Sequence, residues 1–140
     1  KNYQLIVAGA GIIKSQPQQY PIKFLGHISH PQLLKLYRES QLAIVPSLWP
    51  ENFGRGALEA IASGIPVVTS NRGGLPEIVQ DKFGLSVDPT PIKLAHAIDL
   101  IIRDYNQYTA TIAKSKTNLI KQFGTQPITQ YETIYSRSLI

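Results

Sequence analysis

The sequence predicts an α/β domain built on a doubly wound parallel sheet. Short apolar runs alternate with segments of helical spacing along most of the 140 residues. The apolar runs are continuous and rich in branched side chains, which is typical of strands buried on both faces of a parallel sheet. Because such sheets bind ligands outside the carboxyl ends of their strands, we expect a functional site in the loops that follow the strands.

Five segments have the length and the apolar content of buried strands. They are residues 3–9, 22–26, 41–47, 65–70 and 84–89. A pair of glycines, Gly9 and Gly11, follows the first strand and is similar to the start of a dinucleotide-binding fingerprint. We interpret the pair as a tight turn, because the third glycine is missing and the next residues do not open a helix.

Helices are predicted between and after these strands from apolar spacing and end signals. The predicted segments are residues 30–40, 54–64, a short helix within 71–79, and then 90–105, 106–123 and 127–139. Thr90 is suited to cap the fourth helix, with Pro91 at its first position. Gly64 and Gly124 are expected to end the second and the fifth. No repeat or low-complexity linker interrupts the pattern, so residues 1–140 are predicted to form one domain.

The composition is that of a globular protein, with 43% hydrophobic and 16% charged residues. The chain has no cysteine, which excludes disulfides, thiolate metal sites and cysteine nucleophiles. Its apolar runs are far shorter than the roughly 20 residues that span a membrane. The first residues lack the basic start and long apolar region of a signal peptide, so we expect a cytoplasmic protein.

The net charge of +5 favours anionic partners such as phosphate groups or an acidic membrane face. However, the 14 lysines and arginines are scattered along the chain and form no run. Proteins that bind nucleic acid usually interleave aromatic residues with a basic stripe. The sequence therefore predicts no nucleic-acid partner.

The most informative polar pattern lies in residues 46–77, PSLWPENFGRGALEAIASGIPVVTSNRGGLPE. Gly54 and Gly56 lie where a strand-to-helix loop meets its helix, and glycine lets a ligand approach the backbone closely. The first N–H groups of a helix have no partner inside it and favour an anion. Arg55 adds positive charge, so this helix start is suited to hold a diphosphate.

Two glutamates flank this helix start, and the residues alone leave two interpretations open for each. Glu59 could form a surface ion pair with Arg55, which would contribute about 0.2–0.5 kcal/mol to stability. Alternatively, its two acceptor oxygens match the two donors of a vicinal diol, such as a ribose. Glu51 is either a solvated loop acid or an acceptor for hydroxyl groups of a polar ligand.

A second glycine turn, Gly73-Gly74, precedes Pro76 and Glu77. Glu77 would complement the dipole of the helix that starts there, which accounts for this residue as well as a ligand does. The sequence contains no Asp-x-Asp pair and no histidine cluster, so it predicts no metal site.

The segment ENFGRGALEAIASGIPVVTS resembles the E-x7-E region of glycosyltransferase family 4, a group of retaining transferases with the GT-B fold. Glu51 and Glu59 have the spacing of that motif. The resemblance extends upstream through FLGHIS and LLKLYRESQLAIVPS, and downstream through GGLPEIVQDKFGLSVDPT, covering about residues 3–104. It implies that the chain is the Rossmann-like, C-terminal half of a two-domain enzyme, the half that binds the nucleotide-sugar donor.

The resemblance also implies which residues meet the donor. Glu59 would bind the ribose of the nucleotide sugar. Glu51 would lie by the donor sugar as the catalytic residue, and the backbone of Asn52, Phe53 and Gly54 would meet the sugar hydroxyls.

The diphosphate would lie against Gly54, Arg55 and Gly56, and the base would lie near His27 and Ile28. No cofactor and no metal is implied, because the nucleotide-diphosphate sugar is itself the donor substrate. The Arg/Lys pair with which this family neutralises the departing diphosphate is not found in these residues.

The other implied partners are an N-terminal domain of the same enzyme and a sugar, lipid-linked or polysaccharide acceptor. Peripheral contact with the inner face of a membrane is a further expectation for the whole protein. Two other functions fit the same donor site. One is a GT-B epimerase or hydrolase of nucleotide sugars, and the other is a non-catalytic nucleotide-sugar-binding module.

Overall fold

The computed structural model describes residues 3–10 and 21–125, and these form an alternating series of strands and helices. The strands are β1 Leu5–Ala8, β2 Ile22–Gly26, β3 Ala43–Val45, β4 Val67–Ser70 and β5 Gly84–Val87. The helices are α1 His30–Glu39, α2 Arg55–Ala62, α3 Leu75–Val79, α4 Pro91–Arg103 and α5 Tyr105–Ile120, and α5 continues into a π-helical turn at Lys121–Thr125. The predicted α/β alternation is confirmed.

All strand pairs in the described residues are parallel. β1 pairs with β2, and β3, β4 and β5 form a three-stranded sheet in that order. In the three-stranded sheet, Ala43 is opposite Val67, and Val67 is opposite Gly84. The carboxyl ends of β3, β4 and β5 therefore meet at one edge, where their loops can form a shared site.

Helices cover both faces of the three-stranded sheet, as expected for a doubly wound fold. On one face, Val67 of β4 packs with buried residues of α2 and α3, among them Ile61 and Leu75. On the other face, Val68 packs with Ala97 and Ile101 of α4. All four residues of β4 are buried, which explains why its sequence is continuously apolar or small rather than alternating.

The first strand is less buried than its sequence predicts. Leu5 is 44% exposed and Val7 is 36% exposed, so the prediction of a buried first strand is wrong for the described residues. The physical reason is that β1 pairs only with β2 in this part of the chain, and neither hydrophobic core contains a residue of these two strands.

The beginnings of the helices agree with their sequence signals. The hydroxyl of Thr90 accepts the N–H of Lys93 at 3.4 Å, which caps α4. At α1, the Gln32 side chain accepts the N–H of Ser29 at 2.8 Å, and proline lies in the first turn. This second arrangement fixes the first residue of α1, His30, directly after the β2 loop.

Of the two helix ends predicted at glycines, the one at Gly64 is confirmed and the one at Gly124 is wrong. Gly64 has a left-handed φ of 98° just after α2, as expected of a glycine that ends a helix. Gly124, in contrast, lies inside the π-helical turn that continues α5, so the helix does not end there. Gly11 and the predicted helix at 127–139 lie outside the described residues.

Candidate functional site

The predicted site lies in the loops that leave the carboxyl ends of the parallel strands. One of these loops, residues 46–54, joins β3 to α2 and carries Glu51. Residues 71–74 join β4 to α3, and residues 27–29 join β2 to α1. The sequence therefore predicted correctly which loops follow the strands.

The β3–α2 and β4–α3 loops are bonded to each other at Glu51. Glu51 and Gly73 form an isolated parallel bridge, and the Gly74 N–H donates to the Glu51 carbonyl at 2.7 Å. Gly73 has a left-handed φ of 59°, and a Cβ on it would overlap the Glu51 backbone. The glycine turn that the sequence predicted as a helix start thus also holds Glu51 in place.

The β4–α3 loop also contacts the end of β5 and the residue that follows it. The Asn71 N–H donates to the Val87 carbonyl at 2.9 Å, and Arg72 lies 3.9 Å from the Asp88 carboxylate. The hydrogen bond and charge of Lys93, with a contribution from Arg72, hold the pKa of Asp88 below its usual value. The loop that supports Glu51 is therefore anchored on both sides.

The Glu51 carboxylate is positioned by its own loop. The Ser47 hydroxyl donates to Glu51 Oε1 at 2.7 Å, and Glu51 is half-buried. This side chain is thus held by a specific hydrogen bond, unlike a freely solvated loop acid. A hydroxyl donor leaves the negative charge of the carboxylate available to a ligand.

The two glycines at the start of α2 are needed for different physical reasons. Gly54 is buried with a left-handed φ of 77°, and a Cβ on it would lie 2.7 Å from the Leu75 side chain, so the fold itself requires glycine. Gly56 has no such backbone requirement, and a Cβ on it would meet only the Tyr37 hydroxyl at 3.5 Å. Of these two glycines, only Gly56 leaves open space at the surface of the helix.

The first N–H groups of α2 precede the hydrogen-bond ladder of the helix. The helical hydrogen bonds begin with Ala57 and Leu58, whose N–H groups both donate to the Gly54 carbonyl, at 3.0 and 3.2 Å. The N–H groups of Arg55 and Gly56 come before this ladder, as expected for the first turn of a helix. They are suited to bind an anion.

Glu59 lies between α1 and α2, and its carboxylate contacts one basic side chain from each helix. Arg55 Nε lies 3.1 Å from Glu59 Oε1, which confirms the geometry of the predicted pair. His30 Nε2 lies 3.0 Å from the same oxygen. The Glu59 side chain is only 17% exposed, whereas those of His30 and Arg55 are 54% and 80% exposed.

Sequence reasoning missed His30, because its contact with Glu59 joins residues that are 29 positions apart. The only available signal was its place at the first position of the helix after β2, close to the loop already assigned to the base. Tyr37 of the same helix also lies near this carboxylate. Burial, followed by the charge of Glu59, raises the pKa of Tyr37.

An open cavity of about 460 Å³ extends from Glu59 along the outer groove between α1, α2 and α5. Besides Glu59 and His30, its charged lining residues are Arg38 and Lys116. The surroundings of Glu59 are thus predominantly basic, which favours an anionic ligand in this groove.

The remaining predicted residues lie on the same loops. His27 is exposed and Ile28 is half-buried, and both directly precede α1. Asn52 and Phe53 are exposed, and the Phe53 ring meets Phe123 edge to face with centroids 6.0 Å apart. The Asn52 carbonyl, however, lies against the neighbouring loop, where a Cβ on Gly74 would be 2.9 Å from it.

Across residues 3–10 and 21–125, no group of three histidines or carboxylates could hold a metal ion. In the same part of the chain, no helix combines the length and hydrophobicity needed to cross a membrane.

A doubly wound sheet with glycines and carboxylates in the loops at its strand ends is an architecture of nucleotide-binding domains. Residues 1–118 match the family model described as glycosyl transferases group 1. Because this match spans most of the chain, the protein belongs to that family. Its structural neighbours are glycosyltransferases of GT-B type, and Anabaena HepE in complex with UDP-glucose matches 95% of this chain and 41% of HepE, with a TM-score of 0.75 at 24% identity.

Two sequence relatives show how much of a complete protein the chain represents. An uncharacterised glycosyltransferase of Methanocaldococcus jannaschii is 30% identical over 133 residues, which are 88% of this chain and 34% of that protein. A glycogen synthase of Mycobacterium tuberculosis is 35% identical over 108 residues, which are 76% of this chain and 26% of that protein. The chain thus spans about a third or less of the length of these relatives.

Proposed function

We propose that this chain is the C-terminal, donor-binding half of a retaining, metal-independent hexosyltransferase of glycosyltransferase family 4. The observation that carries the proposal is the arrangement of Glu51 and Glu59 on either side of the α2 start, at the carboxyl ends of parallel strands. Membership of the glycosyl transferases group 1 family supports it. The complex of HepE with UDP-glucose supports a nucleotide sugar as the ligand.

The donor is proposed to bind along the strand ends with its base toward the β2–α1 loop. The contact between His30 and Glu59 supports this orientation, because it brings the residues just after Ile28 beside the proposed ribose carboxylate. His27 and Ile28 would then contact the base, and Glu59 would accept hydrogen bonds from the ribose hydroxyls. The diphosphate would lie at Gly54, Arg55 and Gly56.

The sugar is proposed to lie over the β3–α2 loop. Glu51 would accept a hydroxyl of the sugar, and the backbone of Asn52, Phe53 and Gly54 would contact the others. The fixed position of Glu51 between Ser47 and Gly74 favours this role, since an acceptor must be preorganised to orient a sugar.

The reaction is transfer of the sugar to an acceptor hydroxyl with retention of configuration. The oxygen of the acceptor forms a bond with the anomeric carbon, the bond from that carbon to the diphosphate breaks, and the acceptor proton is lost. Negative charge develops on the departing diphosphate. The first N–H groups of α2 and the guanidinium of Arg55 would stabilise this charge electrostatically.

The acceptor is proposed to be a sugar, a lipid-linked sugar or a polysaccharide, held by an N-terminal domain of the whole enzyme. The whole protein is proposed to act in the cytoplasm, with peripheral contact at the inner face of a membrane when the acceptor is lipid-linked.

The direct test is a titration of the purified chain with UDP, GDP and their sugar derivatives in the presence of EDTA. We expect at least one nucleoside diphosphate to bind, because helix N–H groups and Arg55 supply the positive field. A strict requirement for magnesium or manganese would contradict the metal-independent site. Absence of binding by every nucleotide, with and without metal, would contradict a donor site in this chain.

A further inference from the structure

We propose that His30 is a positioning residue that orients the Glu59 carboxylate toward the ribose diol of the donor. The inference rests on the proposed donor site and adds a residue from a different helix to it. Its role differs from that of Glu59, because His30 would act through the carboxylate without touching the sugar.

The argument begins with the two oxygens of Glu59. In the described residues, the hydrogen bonds and ion pairs of this side chain all end on Oε1, where His30 Nε2 lies at 3.0 Å and Arg55 Nε at 3.1 Å. A carboxylate has about four lone-pair sites over its two oxygens. The hydrogen bond of His30 and the ion pair of Arg55 both end on Oε1, which leaves Oε2 as the oxygen without a protein partner among the described residues.

Of these two partners, His30 is the better able to fix the orientation of the carboxylate, because it alone forms a hydrogen bond with it among the described residues. Arg55 is in the same helix as Glu59, and its long side chain is 80% exposed. His30 has a short side chain, and its backbone is held at the first position of α1 by the bond between the Ser29 N–H and the Gln32 side chain. The contact of His30 therefore joins the carboxylate to a second helix with little freedom in the linkage.

The charged groups around His30 and Glu59 also favour the contact between His30 Nε2 and Glu59 Oε1. The groups that face Glu59 are Arg55 from its own helix, His30 and the Tyr37 hydroxyl from α1, and the cavity-lining Arg38 and Lys116. The Nε2 of histidine donates to Glu59 both in the protonated ring and in the neutral ring that carries its proton on Nε2. His30 can therefore hold Oε1 in either charge state.

The experiment compares nucleotides that have or lack the diol. Affinities of the whole protein for UDP and GDP, and for their 2′,3′-dideoxy forms, are measured by calorimetry for wild type, H30A and H30Q. We expect H30A to reduce the preference for the diol several-fold and to leave the affinity for the dideoxy forms nearly unchanged. H30Q should restore the preference, because the glutamine amide can donate to Glu59 from the same number of bonds along the side chain.

Lys35 provides the matched control on the same helix. It is 70% exposed and pairs with Glu39 at 3.7 Å, away from Glu59, so K35A should leave every affinity unchanged. An equal loss of affinity for the diol and dideoxy forms in H30A would overturn the proposal, because it would show a purely structural role. An unchanged diol preference in H30A would overturn it as well.

E59Q separates this inference from the function on which it rests. If E59Q removes the diol preference and H30A does not, the ribose site stands and the role of His30 is wrong. If E59Q itself leaves the diol preference unchanged, the assignment of the ribose to Glu59 is wrong, and the inference for His30 falls with it.

Discussion

The two glutamates of the site are held by different kinds of partner. Glu51 is held by a neutral hydroxyl of its own loop and by backbone bonds of the neighbouring loop. Glu59 is held by an arginine and a histidine from two helices. Because they share no partner among these contacts, we expect their substitutions to act independently.

The first prediction separates the two side chains by their ligand groups. E59A should weaken binding of the bare nucleotide by about 1.5–3 kcal/mol, because it removes hydrogen bonds between the ribose and a charged acceptor. E51A should leave the affinity for the bare nucleotide nearly unchanged and lower the turnover of the full-length enzyme. Calorimetry with UDP or GDP, together with a sugar-transfer assay, measures both effects.

Each variant must be compared at equal folded fraction, since Glu59 is mostly buried and joins two helices. Far-ultraviolet circular dichroism and a urea midpoint provide that control. If E51A weakened the bare nucleotide as much as E59A does, the proposed division between sugar and ribose would be wrong.

At the scale of elements, the glycines of the loops and of the α2 start differ in how closely other atoms pack against them. Gly73 and Gly54 both have left-handed φ angles. Gly73 lies against the Glu51 backbone, and Gly54 lies against the Leu75 side chain. Gly56 is on the surface of α2, where a methyl group would make only an ordinary contact with Tyr37. Stability therefore depends on the first two, whereas the third is proposed to leave room for the ligand.

The second prediction follows from this contrast. G73A should destabilise the chain by more than about 1–2 kcal/mol, because the left-handed backbone alone costs that much and the new Cβ overlaps Glu51. G56A should keep or slightly raise stability, since alanine is favoured over glycine in a helix by roughly 0.5–1 kcal/mol. Urea unfolding with unchanged slope measures both effects.

The same pair of variants tests the diphosphate site. G56A should lose affinity for a nucleoside diphosphate although it is well folded, because its methyl group covers the backbone proposed to approach the phosphates. Full retention of affinity in G56A would argue against a diphosphate at this helix start. A G73A protein as stable as wild type would show that the bond between the two loops does not constrain Gly73.

At the scale of the whole molecule, the chain is proposed to supply the donor-binding side of a two-domain enzyme. Its candidate site lies in loops and helices at one edge of the sheet, and the chain covers 34% of the M. jannaschii relative and 41% of HepE. Sugar transfer requires the acceptor hydroxyl to lie about 3–3.5 Å from the anomeric carbon. We expect another domain to hold the acceptor at that distance.

The third prediction is that the purified chain binds nucleotide but transfers no sugar. The full-length enzyme, incubated with a panel of nucleotide sugars and carbohydrate acceptors, should form product under the same conditions. Product is measured by mass spectrometry, with E59A of the full-length enzyme as the negative control. Transfer by the 140-residue chain alone would show that the other domain is not needed.

The sequence by itself determined the class of fold and the positions of the loops in which the candidate site is proposed. Continuous apolar strands, the cap at Thr90 and the glycine after α2 are local signals, because each depends on neighbouring residues only. The same holds for the pair of Arg55 and Glu59, which follows from one helical turn. The family of the protein also follows from the sequence, through the match over residues 1–118.

Only the tertiary structure decided which partners hold the site together. The contact of His30 with Glu59 and the bond between Glu51 and Gly74 join elements that are far apart in the chain, so no local pattern specifies them. The exposure of Leu5 and Val7 was decided in the same way, because an apolar strand becomes buried only where other elements cover it. Periodicity and propensity act over a few residues, whereas burial and the pairing of side chains depend on how the finished elements pack.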